Sequence, residues 1–182
     1  RLRTGFPGAA MSAGPISSTV ALFGDFVCNS YVFGASAWYF FLSSPVMMKN
    51  LGRERFVPLM MSLMKVFFTS CTVALSVSLA LTYVHTKGDV RSVSFLTQLL
   101  ALFGALMNKF VIGPKALAAG KASMGERKGK DGDATLGKFA ADGGFGGKGG
   151  TKFWHRTVVV FVFVMLGGVL GHMHEALAKV PA

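Results

Sequence analysis

Few side chains in this sequence are of a type that does chemistry, and their spacing supports little of it. The candidate acids, bases, nucleophiles and metal ligands within the apolar stretches and at their edges are Asp25 and Glu175, Cys28 and Cys71, and the histidines His85, His155, His172 and His174. Asp25 and Glu175 stand at opposite ends of the chain and make no carboxylate pair on one helix. His172 and His174 point about 200° apart around a regular helix, so they cannot both ligate one metal or face one haem. Cys28 and Cys71 have no metal-ligand spacing and form no disulfide framework; inside apolar helices a free thiol behaves as a small hydrophobe. Gly144, Gly146 and Gly149 satisfy the GxGxxG pattern, but no strand is expected before them, and Gly147-Lys148 is followed by glycine where a phosphate loop needs Ser or Thr. The reading is non-enzymatic, with no catalytic, cofactor-binding or metal residues and no cofactor.

Four apolar stretches must position whatever remains. Residues 18–42, 57–84, 93–112 and 157–177 each reach the roughly 20 residues that a helix needs to cross a hydrocarbon core. The chain as a whole, 182 residues and 52% hydrophobic with a mean hydropathy of +0.51, is too apolar for an ordinary soluble domain. The expected fold is an all-α integral membrane protein with four transmembrane helices in two hairpins and a long Gly/Lys-rich loop between helices three and four. Its parts are an irregular lead-in at 1–17, membrane helices one to three at 18–114, a basic Gly-rich loop at 115–156, and the fourth helix with a short tail at 157–182. Ser17-Ser18-Thr19 offers a cap for helix one, a turn joins the first two helices through Lys49, Arg53 and Arg55, and Gly113-Pro114 stops helix three. Trp38, Tyr39, Phe40 and Phe41 precede that turn, where amphipathic rings prefer the headgroup level.

Within the spans, ionisable and amide side chains are functional candidates by default. The interhelical polar candidates are Asp25, Asn29, Lys65, Asn108 and His172. By helical rise, Asp25 and His172 reach a similar depth, roughly 10 Å below the surface nearest the termini, and are expected to interact across helices one and four, contributing about 0.6 kcal/mol as membrane hydrogen bonds average. Lys65 is placed near the level of Asn29 and, like Lys109, can snorkel to the interface. Ser70, Ala74 and Ser78 make a small-residue stripe, and Gly167 and Gly171 a GxxxG pair, for close helix packing. Arg53, Arg55, Lys115, Lys128 and Lys130 are the expected headgroup or partner contacts.

Phe33-Gly34, Trp38, Phe41, Leu51, Arg53 and Phe56 fall at the spacings of the first hairpin of the eukaryotic transmembrane-protein-205 family of small four-helix membrane proteins, which this chain resembles. Asn108 with Pro114, and His155 after Phe153, fit positions in that family's third and fourth helices. Met60, Lys65, Phe67 and Gly113 depart from it, so several of its polar groups are missing here. The resemblance implies the four-helix fold and no defined reaction.

A formal charge of +11, concentrated in loops, suits anionic lipids or acidic partner subunits and not nucleic acid. Twelve Lys and Arg residues in the first and third loops, against five at the termini and the second loop, place those two loops on the inner side. The sequence opens Arg1-Leu2-Arg3 without methionine, which fits a product trimmed from an organelle targeting segment. The expected role is a non-catalytic accessory subunit, structural or for assembly, within a larger complex of other membrane subunits. The expected location is an energy-transducing membrane such as the mitochondrial inner membrane, with the respiratory chain or ATP synthase as examples and a plastid or other membrane as the alternative. The competing role is a self-contained small-molecule or ion transporter or resistance-type protein.

Overall fold

A computed structural model describes residues 15–119 and 150–178 of the chain. The elements are α1 (Pro15–Ala37), a π-helical turn (Trp38–Ser43), α2 (Ser44–His85), α3 (Val93–Leu106), a second π-helical turn (Met107–Ile112) and α4 (Gly150–Ala178). Residues 113–119 continue as helix, and no strand occurs among the described residues. Four stretches are long and apolar enough to cross a membrane, Thr19–Leu51, Pro58–His85, Val93–Ala119 and Phe153–Ala178, so by length and composition this is an integral membrane protein.

One spacing rule builds the interior. On α1 and the turn after it, Asp25, Asn29, Val32, Ser36, Tyr39 and Ser43 are buried; on α2, Phe68, Cys71, Leu75, Ser78 and Thr82; on α3 and its π turn, Ser94, Gln98, Ala101, Ala105, Asn108 and Ile112; on α4, Val158, Val162, Met165, Val169 and His172. Each series steps by alternating threes and fours, the seven-residue repeat that keeps one seam of each helix against its neighbours. The large apolar side chains point the other way: Phe23, Trp38, Phe41, Val66, Phe110 and Phe163 are more than half exposed. A bundle with its amides and hydroxyls inside and its bulky hydrophobes outside is stable only in a solvent as apolar as lipid.

Several boundaries differ from expectation. The segment read as a turn between the first two spans is helical throughout, because Met47, Met48, Lys49, Leu51, Arg53 and Arg55 are good helix formers. The run from Ser44 to His85 is not straight, however. Tyr39 and Phe67 stack with ring centroids 4.9 Å apart, whereas 28 residues of straight helix would separate them by about 42 Å. The chain therefore doubles back between Ser44 and Met60, whose carbonyl accepts a 2.9 Å hydrogen bond from Tyr39 Oη. Pro58 lies within that interval and cannot donate the bond that would close the preceding turn. Tyr39 is consequently an inward ring, edge-on to Phe40 at 4.8 Å, while Trp38 and Phe41 are exposed.

Helix three runs past Pro114 because the proline falls in the first turn after the π segment, where a missing N–H costs little. Helix four begins at Gly150 rather than 157, and helix one at Pro15, a residue whose fixed φ suits a first turn. The irregular reading of 115–156 is thus corrected at both ends; residues 120–149, with the GxGxxG glycines, Lys128 and Lys130, lie outside the described residues, as do 1–14. Between α2 and α3 the chain turns through Lys87 (φ 54°) and Gly88 (φ 81°), with the Gly88 amide donating to Tyr83 O at 2.9 Å, a helix C-terminus closed in the left-handed region that glycine favours. Ser92 then caps α3, its Oγ accepting from the Phe95 amide at 3.2 Å.

Candidate functional site: a polar cluster shared by four helices

Near the end of the bundle that carries the α2–α3 turn, the four seams bring their polar residues to one level. His172 Nε2 on α4 lies 2.6 Å from Asp25 Oδ2 on α1. Asp25 Oδ1 accepts from Asn29 Nδ2 at 3.0 Å, from Ser78 Oγ on α2, and from Thr82 Oγ1 at 3.4 Å. Asn29 Nδ2 also donates to Ser78 Oγ at 2.7 Å and to the Asp25 carbonyl at 3.0 Å. On the far side of the imidazole, His172 Nδ1 sits 3.0 Å from both Ser94 Oγ and Ser94 O on α3. Asp25 and His172 are 4% and 2% exposed, so water contributes little to balancing their charges.

Nδ1 faces both the Ser94 hydroxyl, which can donate to it or accept from it, and the Ser94 carbonyl, which only accepts. A carboxylate oxygen and a ring nitrogen 2.6 Å apart need a proton between them, and Oδ1 is occupied as an acceptor, which puts that proton on the Nε2–Oδ2 line. That short hydrogen bond ties α1 to α4. An apolar cleft of about 290 Å³ between α1 and α4, walled by Phe23, Phe26, Met173 and Leu177, reaches Asp25 and His172 from the lipid side.

Asp25 and His172 meet at one site, as their matched depth predicts, and Asn29, Ser78, Thr82 and Ser94 join them there. Ser78, a packing residue by its spacing, is also a hydrogen-bond donor. Ser94 and Gln98 carry a legible signal, being the polar members of a 4-3-4-3 series that ends in Asn108 and Ile112. Gln98 is fully buried with neither amide atom paired. Lys65 is not level with Asn29: Asn29 meets Ser78, thirteen residues or about 20 Å along α2 from Lys65, because the two depths are counted from opposite surfaces of a core of about 30 Å, whereas the second span, Pro58–His85, is 28 residues long, about 42 Å. Lys65 is exposed beside Asn108 and Lys109 in a separate cleft.

Of the packing candidates, Ser78 is buried, and Ala74 and Ser70 flank the core. The glycine pair is corrected by one residue. Gly167 faces outward with nothing near a would-be Cβ, while a Cβ on Gly168 would come 2.6 Å from Ala101 N and 2.7 Å from Thr97 O; Gly104 opposes it, 2.8 Å from Met165 N by the same construction. Gly168 shares the face of Met165 and His172, and Gly167 is rotated about 100° from it. Gly171 stays at the interface against Thr97 Cγ2, 3.2 Å from a would-be Cβ. Among the proposed headgroup contacts, Arg55 and Lys115 are exposed, and Lys115 Nζ lies 5.1 Å from the Trp154 ring centroid; the Arg53 side chain, Lys128 and Lys130 lie outside the described residues. Among the described residues no three His, Cys, Asp or Glu side chains converge to hold a metal ion, and both cysteines are free.

No curated protein and no solved structure matches this chain. One family model does match, over residues 27–124, and takes in α2, α3, part of α1 and both π turns. That stretch contains Asn29, Ser78, Thr82 and Ser94 of the cluster and the whole Lys65–Asn108–Lys109 cleft, and since it covers more than half of the sequence, the chain belongs to the family described as a domain of unknown function (DUF4149).

Proposed function

We propose that this protein is a non-catalytic subunit that serves the structure or assembly of a larger membrane complex. The setting that fits its small, basic, Met-rich composition is an energy-transducing organelle membrane, with the mitochondrial inner membrane first. One observation carries the reading. The buried polar groups are not linked in a line through the bundle: between the Asp25–His172 cluster and the Lys65–Asn108 cleft lie Val32, Cys71, Leu75, Ala101, Ala105, Val162 and Met165, all 5% exposed or less, and the polar residues among them do not bridge helices, Ser36 and Thr72 donating to carbonyls of their own helices and Gln98 meeting no partner. A transporter needs facing polar groups or broken helices at mid-depth, and here that depth is closed by hydrocarbon and by glycine-tight packing. The cluster binds one residue from each helix to the next, which is what a scaffold requires.

The four spans then form two hairpins, with the α2–α3 turn on one side and the Lys49 region and the 120–149 insert on the other. The insert is rich in glycine and lysine, and its few apolar residues, Leu136, Phe139 and Phe145, at about 1.5–3 kcal/mol each when buried, do not offset the entropy of ordering some thirty residues at roughly 1–2 kcal/mol apiece. Its lysines are offered to acidic groups of a partner. Deleting residues 125–149 is expected to leave membrane insertion intact and to abolish co-migration with partner chains on native gels after mild-detergent extraction. Co-migration identical to the intact protein, or an intact protein that migrates alone, would reject the subunit reading.

The competing reading, a self-contained transporter or resistance-type protein, is favoured by the cleft that reaches the proton-bearing Asp25–His172 pair. Its topology requirement is the same. Single cysteines at positions 49 and 130 are expected to label from one face of the membrane and a cysteine at 87 from the other; labelling of all three from one side would overturn the four-span arrangement under either reading.

A further inference from the structure

The second cleft carries chemistry that the scaffold reading leaves unused. It has a volume of about 470 Å³ and lies between α2 and the helical stretch that follows α3. Met64, Phe68 and Phe110 supply an apolar wall, Lys65, Lys109 and Asn108 are among the other lining residues, and the Lys109 Nζ lies 5.0 Å from the Phe110 ring centroid. Asn108 is fully buried. Its Nδ2 donates to Val158 O at 3.3 Å, which fixes the amide orientation and leaves Oδ1 an acceptor with no partner. A buried acceptor of that kind calls for a donor. The wall is formed by the π turn Met107–Ile112, closed by the Gly113 amide donating to Asn108 O. A side chain at 113 would run into that carbonyl, so glycine is needed for the turn, and π turns gather at functional sites.

We infer that this cleft binds the headgroup of an anionic phospholipid bearing a hydroxyl group. The phosphate lies between Lys65 and Lys109, the hydroxyl donates to Asn108 Oδ1, and an acyl chain follows the Met64–Phe68 face into the bilayer. Charge complementarity selects the phosphate, and the orphan acceptor selects the hydroxyl, because a phosphodiester has no proton to give. The site goes beyond the scaffold reading and stands whether or not the protein has partners.

The test is lipid retention by the purified full-length protein, read by native mass spectrometry across titrations of phosphatidylglycerol, phosphatidylmethanol and phosphatidylcholine. Phosphatidylglycerol should bind about tenfold more tightly than phosphatidylcholine, with phosphatidylmethanol, anionic but lacking the hydroxyl, between them. The variant K65Q/K109Q should reduce phosphatidylglycerol to the phosphatidylcholine level, and K65R/K109R should keep it. Both lysines lie at the surface or half-buried, so neither substitution disturbs the seam. Equal retention of the three lipids, or an unchanged K65Q/K109Q, would overturn the site. Binding of soluble glycerol 3-phosphate as tight as the lipid would overturn the lipid as occupant and leave a phosphate-ester site; equal binding of phosphatidylmethanol and phosphatidylglycerol would remove the Asn108 contact.

Discussion

His172→Ala is expected to cost about 3–5 kcal/mol, because it removes one partner of a buried ion pair and leaves the other uncompensated. That is several times the roughly 0.6 kcal/mol average for a membrane hydrogen bond, and the difference comes from what stays behind. Asp25 would keep Asn29, Ser78 and Thr82 on Oδ1 but lose the proton facing Oδ2, and Ser94 on α3 would lose the nitrogen that ties it to α4. Thermal unfolding in detergent, followed by tryptophan fluorescence, reads the loss directly. The double variant D25L/H172L is expected to be more stable than H172A, since removing both charges together relieves the burial penalty. If the two charges bore no relation to each other, the double variant would instead be the worse by the sum of its parts. Proton placement has its own readout: nitrogen NMR of a His172-only sample, with His85, His155 and His174 replaced, should report hydrogen on Nδ1 if that nitrogen donates to Ser94 O, and an unprotonated Nδ1 would make it the acceptor of the Ser94 hydroxyl instead.

How much of this is legible in the sequence depends on which coordinate of a helix the residues encode. Depth is nearly free when both residues are counted from the same surface, because rise per residue is constant: that brings Asp25 and His172 together although they are 147 residues apart, and the count fails for Asn29 and Lys65, which are measured from opposite surfaces. Rotation about the axis is not free. Each residue turns the helix by about 100°, so a one-residue error selects a different face, and the GxxxG spacing points to Gly167 where the interface uses Gly168. The rotational information resides in the 4-3-4-3 spacing of Ser94, Gln98, Ala101, Ala105, Asn108 and Ile112, a pattern that by itself defines the inward face of α3. Ser78, Thr82 and Ser94 are harder, since in an apolar helix a small hydroxyl residue serves equally as packing surface or as donor, and only the partner distinguishes the two. The helical path through the basic segment is hidden by Pro45 and Pro58, which read as turn residues but occupy, respectively, the first turn of α2 and the interval where the chain reverses. The two π turns have no sequence signal, because the alternating spacing of the seam runs through Tyr39 and Asn108 unbroken.

Gly168→Ala is expected to destabilise the protein by about 1–3 kcal/mol, the range for overpacking a closed interface, while Gly167→Ala, one residue away, is expected to be neutral or to stabilise by up to about 1 kcal/mol through helix propensity. The contrast follows from what each new methyl meets. At 167 there is nothing within 4 Å; at 168 the nearest atoms are Ala101 N and Thr97 O, both backbone, which no rotamer change can move aside. Relief requires α3 and α4 to separate, and the separation is felt one turn away, where His172 on α4 meets Ser94 on α3 at 3.0 Å. The two perturbations therefore share an interface. A double-mutant cycle of G168A with S94A should give a combined loss smaller than the sum, because the Ser94 contact has already been weakened by the displaced helix. Thermal melts of the four proteins in one detergent decide it. A G168A protein as stable as G167A would mean that the helices are not in backbone contact at this level, and strict additivity with S94A would mean that the glycine seam and the polar cluster are held independently.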